Sequence, residues 1–371
     1  MLRVLAVAFI VLLAAVSVGT SASAGGGSLD RAAYLRLAQR GLVQARAEWW
    51  NPSLRWYDDR LSIPGKPAYL WTAFPLFETV NAVAIAAPTA RNRAAVAAFA
   101  AQAERYWNPA VGGYAYLRGT NRRSVRTYFD DNGWWAIAFV DAFRATGNRR
   151  YLADAAKAFR FIVREGWDAR SGGTWWDTAH GHKTSEPLAA AAYAGAVLYA
   201  ETRNRYYLRT VQRLLAWADE RSWNRTRGLY GRSDTDGTVM DYVEGMMIGA
   251  HLQLCDTLRQ ASHCRKAEAL AAASARAFPA AASWSPTADA IYLRFLLDLY
   301  GHDGNRRWYD LAAANARRAL ANARDGRGLY LRGWDGKRVA GGFLRMHAGT
   351  SSLFAWLATV DPPPQRRAGS K

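Results

Sequence analysis

The sequence predicts an all-α protein, a closed (α/α)6 toroid of six helical hairpins, and three observations predict it. The first is a repeated turn. An aromatic residue, a stretch rich in Asn, Asp, Gly or Pro, and a second aromatic recur as Trp50-Asn51-Pro52…Trp56-Tyr57 and Trp107-Asn108-Pro109…Gly113-Tyr114. They return as Trp167-Asp168…Gly173-Thr174-Trp175 and Trp223-Asn224…Gly228-Leu229-Tyr230. The leading Trp residues at 50, 107, 167 and 223 are 57, 60 and 56 positions apart, and a fixed period of that size marks stacked supersecondary units. A copy without the leading Trp runs from Arg324 to Tyr330, and a degenerate one around Ala282-Ser283-Trp284 fills the gap. Second, the stretches between turns are Ala/Leu-rich with little β-branched alternation, which is a helical pattern. Third, neither end carries the polar capping repeat that an open solenoid needs. Six hairpins that cannot cap themselves close into a ring.

Taken in order, helices are expected to begin near Leu29, Leu70, Thr89, Asp130, Arg149, Ser185, Arg205, Thr238, His263, Pro286, Asn305 and Met346. Thr146-Gly147-Asn148 and Tyr300-Gly301-His302-Asp303-Gly304 read as C-cap glycines joining antiparallel helices. The aromatic turns then join one hairpin to the next. The even-numbered helices are the more apolar and richer in small residues, as in Ala189 to Tyr199 and Met246 to Leu254, so they form the inner ring. Their N-termini all follow the aromatic turns, so turns and N-termini share one rim.

Residues 1–24 read as a secretory signal: Arg3, an apolar run from Leu5 to Val16, and the small-residue cleavage site Ala22-Ser23-Ala24. The run is shorter than the roughly 20 residues of a membrane span. A secreted, extracellular, monomeric protein is expected, with one toroid domain over 25–361 and a disordered Pro/Arg-rich tail over 362–371. Cys255 and Cys264 are the only cysteines in the chain. Export permits a disulfide between them, and two buried thiols fit the sequence equally well. The formal charge is +19 over 371 residues. Its Arg residues are scattered rather than collected in a stripe, which together with export argues against nucleic acid. Attraction to an anionic envelope is the partner such a charge would favour.

The densest chemistry lies in Tyr128-Phe129-Asp130-Asp131-Asn132-Gly133-Trp134-Trp135. Two adjacent carboxylates open an apolar helix, where burying an acid without partners is costly. Helix capping accounts for one such acid, with Asp130 as N-cap and Asp131 in the first turn. The same rim also carries Trp71, Trp175, Trp176, Lys183, Glu186, Tyr242 and Glu244. Acids and aromatics together suit a saccharide cleft, in which one carboxyl donates a proton and another attacks or stabilises C1. Asp58-Asp59, beside Arg55 and Arg60, reads as a solvated, salt-bridged turn. Asp234-Thr235-Asp236-Gly237 lacks the terminal Glu of a calcium loop and reads as an Asx turn with an N-cap. His180-Gly181-His182 specifies too little for a metal, and no metal or cofactor is expected.

The segment from Tyr128 to Ala136, with Gly172-Gly173-Thr174-Trp175-Trp176, Lys183-Thr184-Ser185-Glu186-Pro187-Leu188 and Tyr242-Val243-Glu244-Gly245, resembles the motifs of glycoside hydrolase family 76. Val243 and Glu244 stand where that family has amides. The resemblance spans most of the mature chain. It implies a toroidal retaining α-1,6-mannanase, probing mannan or a lipomannan-type polysaccharide, with Asp130 as nucleophile and Asp131 as acid/base. Tyr128, Asn132 and Trp134 would join Trp71, Trp175, Trp176, Lys183, Glu186, Tyr242 and Glu244 as substrate-binding residues. Endo cleavage is expected. The alternatives are a mannan transglycosidase, a non-catalytic saccharide-binding protein of the envelope, and an epimerase drawing on His180, His182, His251 and His347.

Overall fold

The computed structural model describes residues 29–280 and 284–364. The expected signal segment, residues 365–371 of the tail, and Ala282 and Ser283 of the degenerate turn lie outside the described residues. Twelve α-helices are found among the described residues: α1 (Arg31–Trp49), α2 (Leu70–Ala86), α3 (Ala90–Ala103), α4 (Phe129–Thr146), α5 (Arg150–Phe161) and α6 (Ser185–Thr202). They continue as α7 (Arg205–Trp217), α8 (Asp241–Leu258), α9 (Ala261–Ala277), α10 (Pro286–Asp303), α11 (Arg306–Asn322) and α12 (Leu344–Leu357). All twelve begin within three residues of the expected starts, and the largest offset is at α8, expected near Thr238 and found at Asp241.

The repeated turn is a minimal hairpin. Strands β1 (Trp50–Asn51) and β2 (Trp56–Tyr57) pair antiparallel, as do β3 (Trp107–Asn108) with β4 (Gly113–Tyr114) and β5 (Trp223–Asn224) with β6 (Leu229–Tyr230). In each the leading Trp sits opposite a Tyr: Trp50 with Tyr57, Trp107 with Tyr114, Trp223 with Tyr230. The rings meet edge to face at 5.2, 5.1 and 4.9 Å. Cross-strand aromatic pairs of this kind hold a two-residue ladder that backbone bonds alone would not. The remaining copies are reduced to single bridges, Trp167 to Thr174 and Arg324 to Tyr330.

The inner ring is closed: α2, α4, α6, α8, α10 and α12 pack each on the next, and α12 returns onto α2. The odd helices lie outside, each against its hairpin partner or the neighbouring inner helix. Close approach inside the ring depends on glycine. A Cβ on Gly133 would lie 2.5 Å from the Cβ of Ala190, and one on Gly245 would lie 2.7 Å from the Cα of Tyr292. Any side chain at either position would push α4 off α6, or α8 off α10.

Midway down the ring a buried ion cluster fills the axis. Arg294 donates to Glu78 at 3.1 Å, to Asp141 at 2.7 Å and to the Tyr193 hydroxyl at 3.0 Å. Arg144 reaches Tyr193 and Asp141 from below. Burial, then the charge of Asp141, pushes the Glu78 carboxyl well above the usual carboxylate range.

Two expectations resolve here. Cys255 and Cys264 form a disulfide between α8 and α9. Asp59 is not solvated: it is fully buried, accepts the Thr72 hydroxyl at 2.6 Å and pairs with Arg60 at 3.2 Å. Its backbone carbonyl takes the first amide of α12, Leu344 N. The acid is inside because this hairpin ties α2 to α12 where the ring closes. No helix among the described residues is long and apolar enough to cross a membrane.

Candidate active site

Side-chain capping is commoner on the outer helices, although α5 and α9 lack it and the inner helix α10 takes it from Ser285. Side chains of Asp30, Thr89, Asn204 and Asn305 cap the outer helices α1, α3, α7 and α11. The inner helices α2, α4, α6, α8 and α12 have no side-chain cap. Backbone from a neighbouring unit satisfies the first amide of α2, α4, α6 and α12 instead. Leu70 N donates to Tyr116 O at 3.1 Å, Phe129 N to Trp176 O at 2.8 Å, and Ser185 N to Arg232 O at 2.6 Å. Tyr116, Trp176 and Arg232 each stand two residues after the closing position of their hairpin. The bond that stitches one unit to the next therefore also turns their side chains over the mouth of the ring.

Those three side chains join Tyr69, Trp71, Tyr128, Asp130, Asp131, Trp134, Glu186 and Tyr242 around one open cavity of about 560 Å3. Two aromatic rows run across it. One is Tyr69, Tyr116, Tyr128 and Trp176, with successive ring centres 5.5, 5.8 and 5.0 Å apart. The other is Trp71, Trp134 and Tyr242, spaced 5.0 and 6.0 Å. Rows of ring faces with carboxyls between them suit a substrate that has apolar C–H faces and hydroxyl edges.

Asp130 is not the N-cap. Tyr128 holds that place, and both acids lie in the first turn of α4. Their surroundings differ. Asp130 accepts Trp176 Nε1 at 3.0 Å and the Asp131 amide at 2.9 Å. Burial still raises its pKa to about 6, against the lowering effect of those two donors. Asp131 is only 6% exposed. Burial first, and the charge of Asp130 second, hold its carboxyl well above the ordinary range. The hydrogen bonds favour the anion on Asp130, and burial beside that anion favours the proton on Asp131. Glu186 accepts the Tyr242 hydroxyl at 3.2 Å and a hydroxyl from Thr184. Burial and the Asp130 charge raise it to about 7.

Lys183 and Trp175 lie beside this cavity rather than in it. With His182, Arg232 and Asp234 they line an adjoining depression of about 380 Å3. Lys183 is held by Asp168 at 2.8 Å and lies 5.3 Å from the Trp175 ring. His180 stacks on Trp175, and His182 packs beside Trp176. Ser233 and Asp236 close a turn in which Asp236 accepts Thr238 N, as the Asx reading requires, but α8 starts later and takes no cap from it.

Asn132 and Glu244 are corrections. Neither lines the cavity. Each is the fourth residue of its helix and fully buried, and each accepts the backbone amide of the Tyr that closes its hairpin. Tyr114 N reaches Asn132 Oδ1 at 2.7 Å, and Tyr230 N reaches Glu244 Oε1 at 2.7 Å. His347, fourth in α12, accepts Tyr330 N at 3.2 Å in the same way. These side chains pin hairpin to helix, so polar residues in the motif do not all face the cleft. Tyr116 and Arg232 are the converse, cleft residues that single-motif reading passes over. Laying the turns over one another, with Tyr116 and Arg232 under Trp176, is the signal that finds them.

The glycosyl hydrolase family 76 model matches residues 42–283. No curated protein sequence matches the chain. Among solved structures, a family 76 α-mannanase of Bacteroides thetaiotaomicron is similar with a TM-score of 0.78 at 21% identity, over 88% of this chain and 95% of that one. The α-1,6-mannanase of a Salegentibacter species gives 0.72 at 16% identity, over 88% and 99%. An inactive variant of that enzyme, with two consecutive Asp residues changed to Ala, holds α-1,6-mannotetraose. A cellobiose 2-epimerase of Spirochaeta thermophila gives 0.62 at 14% identity, over 89% and 98%. At these identities the structures speak for the toroid alone, and the family match speaks for the chemistry. The chain belongs to glycosyl hydrolase family 76 and is a glycoside hydrolase.

Proposed function

We propose that this family 76 glycoside hydrolase is secreted and cleaves α-1,6-mannosidic linkages inside mannan-type polysaccharide, with retention at the anomeric carbon. The observation that carries the reading is the unequal pair at the head of α4. Asp130 is stabilised as an anion by Trp176 and the Asp131 amide, and Asp131 is kept protonated by burial and by that anion. In the first step the Asp131 carboxyl gives its proton to the glycosidic oxygen while Asp130 attacks C1. The leaving sugar departs with that proton, and the remaining one is esterified to Asp130. In the second step the Asp131 carboxylate takes a proton from water, whose oxygen attacks C1 and frees Asp130. The two inversions return the starting configuration.

Several features support the substrate. The aromatic rows offer faces for successive rings, and Glu186, Tyr242 and Arg232 offer hydroxyl partners within the same cavity. The Salegentibacter variant that lacks two consecutive Asp residues holds an α-1,6-linked mannose tetramer. A cleft that continues into the depression beside Trp175 and Lys183 suits an internal stretch of chain, and therefore endo cleavage. The formal charge of +19 would draw the enzyme to an anionic envelope carrying such glycans.

The test is digestion of linear α-1,6-mannan by the mature chain, with products followed by mass spectrometry and anomer-resolved NMR. Short oligosaccharides appearing first as α anomers are expected. First-formed β anomers would overturn retention. Elongated chains would make the enzyme a transglycosidase, and binding without turnover would leave a saccharide-binding protein.

A further inference from the structure

The second aromatic row does not end at Tyr242. Its ring meets the edge of Trp284 at 6.2 Å. Trp284 is 47% exposed, whereas Trp134 in the same row is 2% exposed. An indole left in water forfeits the burial that normally repays its size. Local structure does not require an aromatic here, because the bond that orders this residue is its backbone amide to Asp289 Oδ1 at 3.2 Å, which any residue but proline could make.

Beyond Trp284 a groove of about 660 Å3 continues away from the catalytic pair. Phe278, Val239 and Leu229 form its floor, and Arg227 and Arg276 stand at its edge. Both arginines are exposed, and neither forms a salt bridge among the described residues. An apolar floor with free guanidinium donors along it repeats the composition of the main cleft, with donors in place of catalytic acids. Trp284 touches both spaces: it packs on Tyr242 at the cleft and lines the groove on its other side. It is also the first residue after the stretch matched by the family model, residues 42–283.

We propose that Trp284 is a stacking platform for an additional sugar ring of the bound glycan, and that Arg227 and Arg276 take hydroxyls of the residues that follow it. The groove then sets the length of chain the enzyme prefers. This inference rests on the glycan-cleaving reading of the cleft.

The experiment compares wild type, Trp284→Ala and Trp284→Phe on α-1,6-manno-oligosaccharides of increasing length. The shortest oligomer cleaved should show the same kcat/KM in all three. On longer oligomers Trp284→Ala should lose roughly 5- to 10-fold, the worth of one aromatic stacking contact, and Trp284→Phe should recover most of it. Equal loss at every length would mean that Trp284 only supports Tyr242. No loss at any length would mean that the groove is unused. Either result overturns the proposal. Should no oligomer be cleaved, the mannanase reading fails separately, and calorimetric titration of the same series decides the groove. Affinity that rises with length in wild type and stops rising in Trp284→Ala sustains it, and length-independent affinity overturns it.

Discussion

Asp131 and Asp141 lie ten residues apart on α4, both turned into the ring, and the protein treats them in opposite ways. At mid-ring, Asp141 and Glu78 face Arg294, which is itself 1% exposed and supplies two guanidinium nitrogens to them. At the rim, Asp130 and Glu186 receive hydrogen bonds from an indole, backbone amides and two hydroxyls. The lower cluster closes its own charge and holds the inner helices together. In the upper one no buried guanidinium among the described residues reaches the carboxyls, which line an open cavity. Glu78 in the lower cluster also stays above the ordinary range, so a raised proton affinity alone does not mark the site. Buried acid by itself therefore says little about catalysis. What separates scaffold from site is whether a cation has been buried with it.

The comparison breaks most sharply if both clusters respond alike to loss of charge. Asp130→Asn and Asp131→Asn should each cut mannan hydrolysis by about 10³-fold or more, with melting temperature unchanged or raised. The sign follows from the shifts. A carboxyl whose folded pKa lies above its unfolded value makes the native state lose stability as pH rises between the two, here from about 4 to about 6 for Asp130. An amide at that position removes the penalty. A large fall in melting temperature for either variant would place these acids with the scaffold.

Arg294→Met should do the reverse. Glu78 would remain buried without its cation and Asp141 would keep only Arg144, at a cost of about 3–5 kcal/mol in denaturant unfolding, and any activity lost should track the unfolded fraction. Trp176→Phe sharpens the rim side. It removes a donor that stabilises the Asp130 anion, so the acid limb of the kcat/KM profile, expected near pH 6, should move up by roughly one unit. An unmoved limb would show that Asp130 does not set it.

The smallest effect belongs to the hairpin pins. Glu244→Gln keeps the acceptor for Tyr230 N, so unfolding should change by less than about 1 kcal/mol, and Glu244→Ala should cost about 1–3 kcal/mol. Product lengths should be the same in both. A changed product pattern at intact stability would return Glu244 to the substrate.

What the sequence alone determined is what repetition and local chemistry encode. The Trp-to-Tyr turn recurs because each unit needs the same cross-strand pair, so its spacing located twelve helices, the inner ring and the rim. Six hairpins without polar capping repeats predicted closure, the small-residue even-numbered helices predicted the inner ring, and Asp130-Asp131 stood out because a short segment held both acids and their aromatic walls. Tertiary structure decided matters that depend on neighbours distant in the chain. Which of two acids keeps its proton turns on an indole 46 residues away. Whether an acid is scaffold turns on Arg294, 153 residues from Asp141. Whether a motif residue faces substrate or a hairpin amide turns on the rotation of its helix, which places the second and third residues of α4 in the cleft and the fourth, Asn132, behind it. Charge compensation and helix rotation are set by packing across the ring, and no single segment of the chain carries that information.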